Sequence, residues 1–229
     1  MTAILISRVK DTASNTDTIY LIADKRVTSD DKIMSDYNEK IFTFQANEVR
    51  PHVRHYVTVG DVAPSDYILH KLEEVVELDD LYKFVMESDW FVKMPHDAGI
   101  YMITEKEGMP EIIAIEKSKE YTGTRLVDLD ELILAPIYDG SGGLYVKVAL
   151  DALEDLQGVH SYMEQGALFQ EREWFGAEEL DYLDLVQMAF SAAAKSVTSM
   201  NDKLSTRIIN IPSPEVIKTK KKSKKKKGV

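Results

Sequence analysis

Three residue types near the front of this chain could do chemistry together: Thr2, Asp24 and Lys40. Thr2 follows Met1, and aminopeptidases remove an initiator methionine that precedes a small residue, so Thr2 can become a free N-terminus. Such a threonine carries a hydroxyl nucleophile and its own base on one residue. The α-amino group has a reference pKa of about 7.7–8, so a useful fraction is neutral near physiological pH. It can take the hydroxyl proton directly, or through one water, as attack begins. A neighbouring ammonium favours the neutral amine and stabilises the developing alkoxide. Lys40 is the candidate for that charge. It precedes an apolar Ile41-Phe42 run, and a lysine drawn into such surroundings needs a partner, which Asp24 can supply.

Other chemistries find little support. Cysteine is absent, which removes thiolate nucleophiles, thiolate metal sites and a disulfide framework. The histidines His52, His55, His70, His96 and His160 have no metal-ligand spacing. The run Gly140-Ser141-Gly142-Gly143 has the glycines of a phosphate-binding loop but no Lys-Ser/Thr after them, so nucleotide binding is not expected. Neither a cofactor nor a metal is called for.

The elements that must position Thr2, Asp24 and Lys40 are strands. Residues 2–7 and 18–23 are β-branched and aliphatic at nearly every position, as in strands covered on both faces. The polar stretch 8–17 between them predicts a long hairpin connection. Residues 40–44 and 55–59 read as further strands, the latter ending at Gly60. Asp61 then caps a helix with Pro64 in its first turn and Ile68, Leu72, Val75 and Val76 on one face. A short helix is expected over 81–91. Strands 100–104 and 111–116 flank a Lys106-to-Pro110 turn, and 132–136 reads as another strand. Residues 144–156 predict a helix with Leu144, Val148, Ala152, Leu153 and Leu156 as its stripe. Residues 180–200 predict a second through Leu183, Val186, Phe190, Ala194 and Val197. Residues 205–211 close with a strand. Residues 157–179, acidic and aromatic, read as an insertion with helical content.

At 229 residues, 44% hydrophobic and 29% charged, the chain suits one globular domain over 1–217. No apolar run reaches the ~20 residues of a membrane span, and no secretory leader pattern opens the chain, which predicts a cytoplasmic protein without membrane partners. The net charge of −11 conceals a division, because residues 218–227 hold eight lysines. Without them 20 basic residues face 39 acidic ones, a balance of −19. The acidic body argues against nucleic acid as the ligand of the fold. The tail 218–229 reads as disordered and suited to an anionic partner.

Taken in order, Thr2 opening an apolar strand, Ala23-Asp24-Lys25-Arg26-Val27-Thr28, Asn38-Glu39-Lys40-Ile41, Val59-Gly60 and Asp139-Gly140-Ser141-Gly142-Gly143 resemble the motifs of one family. It is the proteasome β-subunit family of N-terminal-nucleophile (Ntn) hydrolases, and within it the HslV-type peptidases. The 16 residues from Asp24 to Lys40 match the family interval, whereas the 22 from Thr2 to Asp24 exceed it, and the excess is assigned to the first connection. Ala3 stands where the family commonly repeats threonine, and Asp61 where it has glycine.

The resemblance implies an α+β fold, a four-layer αββα sandwich. It implies a threonine-type endopeptidase with Thr2 as nucleophile and Asp24 and Lys40 as its charge pair. The Gly60 N–H would receive the oxyanion, Ser141 would support the terminal amine, and Asn201 would be a further polar support. It also implies homo-oligomeric stacked rings of six or seven subunits, an AAA+ unfoldase of the HslU type, and unfolded protein or peptide substrates. The alternative is a non-catalytic proteasome-like ring or scaffold protein that retains Met1; an acylase acting on small amides stands further off.

Overall fold

The first strand pair runs further than its apolar pattern. In the computed structural model, which describes residues 3–11, 16–29, 32–46, 53–60, 66, 69, 70, 93, 97–106, 109–118, 120, 122–156, 159–164, 167–172, 181–197 and 200–212, β1 (Ile4–Asp11) and β2 (Thr16–Asp24) pair antiparallel in one unbroken register. The expected loop over 8–17 is therefore corrected: most of the excess length lies in paired strand. The cause is ionic. The Arg8 guanidinium donates to both carboxylate oxygens of Asp17 across the pair, at 2.8 and 2.7 Å, and to Asp130 at 2.6 Å. A fork-shaped cation binding a carboxylate at two points holds strand ends that apolar burial does not.

β13 (Leu204–Asn210) pairs with the free edge of β2, and β10 (Ile137–Asp139) with β1 over Ile4 to Ile6, giving a four-stranded sheet in the order β10-β1-β2-β13. A second antiparallel sheet contains β5 (Ile41–Phe44), β6 (Arg54–Gly60), β7 (Ala98–Lys106), β8 (Met109–Lys117) and β9 (Thr122–Val127) as successive neighbours. A small hairpin, β3 (Val27–Ser29) with β4 (Lys32–Ser35), intervenes between β2 and β5.

The period of two along β1 explains how the layers stack. Ile4 and Ile6, with Leu21 and Ala23 of β2, pack against Val57, Val59, Tyr101 and Ile103 of the second sheet. Leu5 and Ile22 point the other way, onto Val146, Leu150, Val186 and Phe190 of two helices, α2 (Gly143–Leu156) and α3 (Tyr182–Ser196). Asp181 caps α3 by accepting from the Asp184 N–H at 2.8 Å. The far face of the second sheet is buried as well, at Tyr56, Ile100, Met102 and Ile115. Asp66, Leu69, His70 and Lys93 are helical. The rest of the two helices expected over 61–76 and 81–91 lies outside the described residues.

Three further expectations are corrected. The strand expected over 132–136 is instead a helical turn, α1 (Glu131–Leu134). Asp128 starts it by accepting from the Asp130 N–H at 2.8 Å, and the adjacent burial of Leu132 and Ile133 suits a helix better than a strand's alternation. Within 157–179, expected to hold helix, the described residues form a hairpin of β11 (Val159–Glu164) and β12 (Ala167–Arg172), and 173–179 lie outside the described residues. The stripe on α2 is also different. Leu144 and Val148 are 67% and 61% exposed, and Val146 and Leu150 face the sheet, flanked by Ala149 and Leu153. This helix is apolar nearly all round at its start, so periodicity offers two faces. The close seating of Gly142 and Gly143 against Ala3 and Tyr138 selects one.

Candidate active site

The sheet registers bring the distant motifs to one end of the two sheets. Ile4 lies opposite Ala23, which sets Ala3 beside Asp24, the last residue of β2. Leu204 lies opposite Asp24 on its other side. Lys40 leads into β5, and its carbonyl accepts from the Thr58 N–H at 3.0 Å, two residues before Gly60 ends β6. Ile4 also lies opposite Asp139, from which the 140–143 loop departs.

At their meeting point Asp24 is fully buried and Lys40 is 5% exposed. The Lys40 ammonium donates to Asp24 Oδ1 at 2.9 Å and to the Arg26 carbonyl at 2.6 Å. The same Oδ1 accepts from the Ala3 backbone N–H at 2.7 Å, and Oδ2 accepts from the Arg26 N–H at 3.0 Å. The Asp24 N–H in turn donates to the Ala3 carbonyl at 3.1 Å. One carboxylate thus fastens the first described residue, the turn after β2 and a buried cation. Burial holds the Lys40 ammonium below its usual pKa, with the attraction of Asp24 opposing the shift.

Asn201, buried ahead of β13, serves the backbone of this site. Its Oδ1 accepts from the Lys25 N–H at 3.2 Å, and its Nδ2 donates to the Asp36 carbonyl and Oδ1 at 3.1 and 3.2 Å. Asp36 also accepts from Arg26 Nε at 2.6 Å, and Glu39 binds Lys25 and the Ser205 hydroxyl. The segment that presents Lys40 is tied in this way to the turn that presents Asp24. Arg26 and Asp36 escaped the sequence reading; Arg26 stands inside a quoted motif, while nothing in the order of residues marks Asp36.

Ser141 is exposed in the turn between Gly140 and Gly142. That turn sits hard against the start of β1: a Cβ on Gly142 would lie 2.9 Å from the Ala3 Cβ and 2.8 Å from Met200 Sδ. Thr2, the residue before Ala3, lies outside the described residues, as does Asp61.

Gly60 has φ +90°, and a Cβ there would meet the Asp97 carbonyl oxygen at 2.5 Å. The position requires glycine on both counts. Gly60→Ala is expected to lower stability by about 1–3 kcal/mol in thermal or denaturant unfolding, through left-handed strain and the backbone contact. A variant as stable as the parent would show that the β6 end relaxes freely.

Two antiparallel sheets packed face to face, with a helix pair outside one of them, make the fold. Solved structures share it. Eukaryotic HslV from Trypanosoma brucei is 17% identical, with a TM-score of 0.53 over 90% of this chain and 98% of that one. BPH from Thiobacillus denitrificans, in complex with epoxomicin and by itself, is 12% identical with TM-scores of 0.54 and 0.53, covering 93% of this chain and 100% of its own. No protein-family model matches the sequence, and no curated protein matches it.

Proposed function

We propose that this chain is a threonine-type endopeptidase, the proteolytic ring component of a proteasome-like, HslV-like protease. The observation that carries this reading is the buried Lys40–Asp24 pair hydrogen-bonded to the Ala3 N–H. Consecutive Cα atoms are about 3.8 Å apart, so Thr2 follows directly on that pair. Two of the Lys40 N–H donors have partners among the described residues, and in this reading the third serves the Thr2 hydroxyl.

With Met1 removed, Thr2 Oγ attacks the scissile carbonyl while its α-amine takes the hydroxyl proton. The Gly60 N–H stabilises the oxyanion and Lys40 the charge at the nucleophile. The amine returns the proton to the leaving peptide nitrogen, and water then releases the acyl group from its ester on Thr2. Ser141, in the turn that follows Asp139, supports the amine in this reading. Asn201 acts by holding the Asp24 turn. The domain spans 1–217, a four-layer αββα sandwich with an insertion near 157–179. It assembles into stacked homo-oligomeric rings, works with an AAA+ unfoldase in the cytoplasm, and offers its 218–229 tail to an anionic partner.

The test is intact mass together with cleavage of short peptides. Protein starting at Thr2 that cleaves, and that is silenced by epoxomicin, the ligand of the BPH complex, supports the reading. Protein from a host with active aminopeptidase that keeps Met1 and cleaves nothing points to the scaffold alternative.

The pH profile carries a second expectation. Cleavage should rise as the Thr2 amine loses its proton and fall as Lys40 loses its own, below the usual lysine range. Stability should respond to Lys40 in the opposite sense. Its proton leaves the folded state at lower pH than the unfolded one, so between those values the unfolded chain binds more protons and stability rises with pH. Lys40's contribution is fully present above the unfolded value and is lost as pH falls through the folded one. Rates and unfolding midpoints measured side by side should therefore diverge on the alkaline limb. An activity loss that tracks unfolding would remove Lys40 from the explanation.

A further inference from the structure

One polar contact crosses between the two sheets beside this site, and no step above uses it. Tyr101, 3% exposed in the middle of β7, donates its hydroxyl to Asp139 Oδ2 at 2.6 Å. Asp139 ends β10 opposite Ile4, and its Oδ1 accepts from the Gly140 N–H at 2.5 Å. Room for the carboxylate comes from Gly99, where a Cβ would lie 3.3 Å from Asp139 Oδ2 and 2.7 Å from Val59 Cγ1. Burial first, and then the charge of Asp139, push the Tyr101 phenol well above its ordinary pKa, so it remains a donor throughout the working range.

For stability alone, a matched apolar pair in place of Tyr101 and Asp139 could serve as well as the hydrogen-bonded one. What the carboxylate adds is two directed acceptors. One is fixed from the opposite sheet, and the other fixes the first amide of the 140–143 loop. Gly140 has φ +80°, and two residues later the loop presses Gly142 onto Ala3. A line of contacts therefore runs from Tyr101 through Asp139 and Gly140 to the residue that follows Thr2.

We propose that Tyr101 and Asp139 are a positioning pair which, by bonding across the sheets and to the Gly140 N–H, sets the Ser141-bearing loop against the start of β1. The proposal rests on the threonine-peptidase reading of the same site. Neither residue touches the reacting atoms; both act through the loop.

The test compares wild type with Tyr101→Phe, Asp139→Leu, Asp139→Asn, Ser141→Ala and the Asp139→Leu/Ser141→Ala double variant. It reads kcat and KM on a peptide, and backbone amide hydrogen exchange. Tyr101→Phe and Asp139→Leu should lower kcat by about 10- to 100-fold with KM nearly unchanged, as small misplacements of a catalytic group do. Asp139→Asn should recover much of that loss, because its oxygen still accepts from Gly140 and its NH2 can donate to the phenol oxygen. Exchange should quicken at Ala3 and across 140–143, and not over 112–115 of β8. The losses from Asp139→Leu and Ser141→Ala should fail to multiply in the double variant, as for residues acting through one element.

Unchanged loop exchange in Tyr101→Phe and Asp139→Leu overturns the pair whatever the rates. Unchanged kcat in these variants, beside a wild type whose cleavage depends on Thr2, overturns the pair alone. A wild type with no Thr2-dependent cleavage overturns the peptidase reading itself, and the wild-type control tells these failures apart.

Discussion

Thr2→Ala is expected to abolish peptide cleavage while the protein folds as before. The substitution removes one hydroxyl and leaves the α-amine, the Lys40–Asp24 pair and the Ala3 N–H bond to Asp24 untouched. The chain has no cysteine that could replace the hydroxyl as nucleophile. Deleting a nucleophile that works as a unit with its base removes nearly the whole chemical contribution, about 10⁶-fold in a serine hydrolase, so a fall of at least about 10⁴-fold should be seen. Thr2→Ser keeps hydroxyl and amine together and should keep cleaving. The measurement is steady-state cleavage with a matched unfolding curve. Persistent cleavage by Thr2→Ala would end the enzyme reading and leave only the fold.

The second large effect concerns Lys40 and touches folding as well as rate. Lys40→Ala strands Asp24, which is fully buried, with two backbone N–H donors and no counter-charge. Breaking a buried pair from one side costs about 3–5 kcal/mol, so the unfolding midpoint should fall steeply. Combining Lys40→Met with Asp24→Asn removes both charges and should restore part of that stability without restoring cleavage. The chemical loss is expected at about 10²–10³-fold, the scale for removing one preorganised electrostatic group. Lys40→Arg should not rescue it. The ammonium sits between a carboxylate oxygen and the Arg26 carbonyl at 2.9 and 2.6 Å, and a planar guanidinium cannot reproduce that point contact. Full activity in Lys40→Ala would detach the pair from the mechanism, and full stability would show that Asp24 finds another cation.

The reading of strands from sequence succeeded where side-chain burial is one-sided or complete. The apolar runs around Ile4, Leu21, Val57 and Ile100 read as strands of a covered sheet, and they are. It failed where polar contacts or packing against a distant element set the structure. The β1–β2 extension depends on Arg8 meeting Asp17 and Asp130, the last of them 122 residues away. The turn of helix at 131–134 follows a local turn in which Asp128 accepts from the Asp130 N–H, and the buried face of α2 depends on glycines that seat against Ala3 and Tyr138. Short apolar segments such as 132–136 and two-faced helices such as α2 carry no periodicity that separates the alternatives.

By itself the order of residues determined which chemistry was available: a threonine that can carry its own base, a lysine and an aspartate at a fixed interval, and no cysteine. It determined these because side-chain type and chain spacing are written there. The tertiary structure decided which of those groups meet. Asp24 and Lys40 come within 2.9 Å, and Asp139 meets Tyr101 across the sheets, because strand registers, not sequence distance, set which side chains share a buried space. Hydrogen-bond directions inside that space then fix what each group can do.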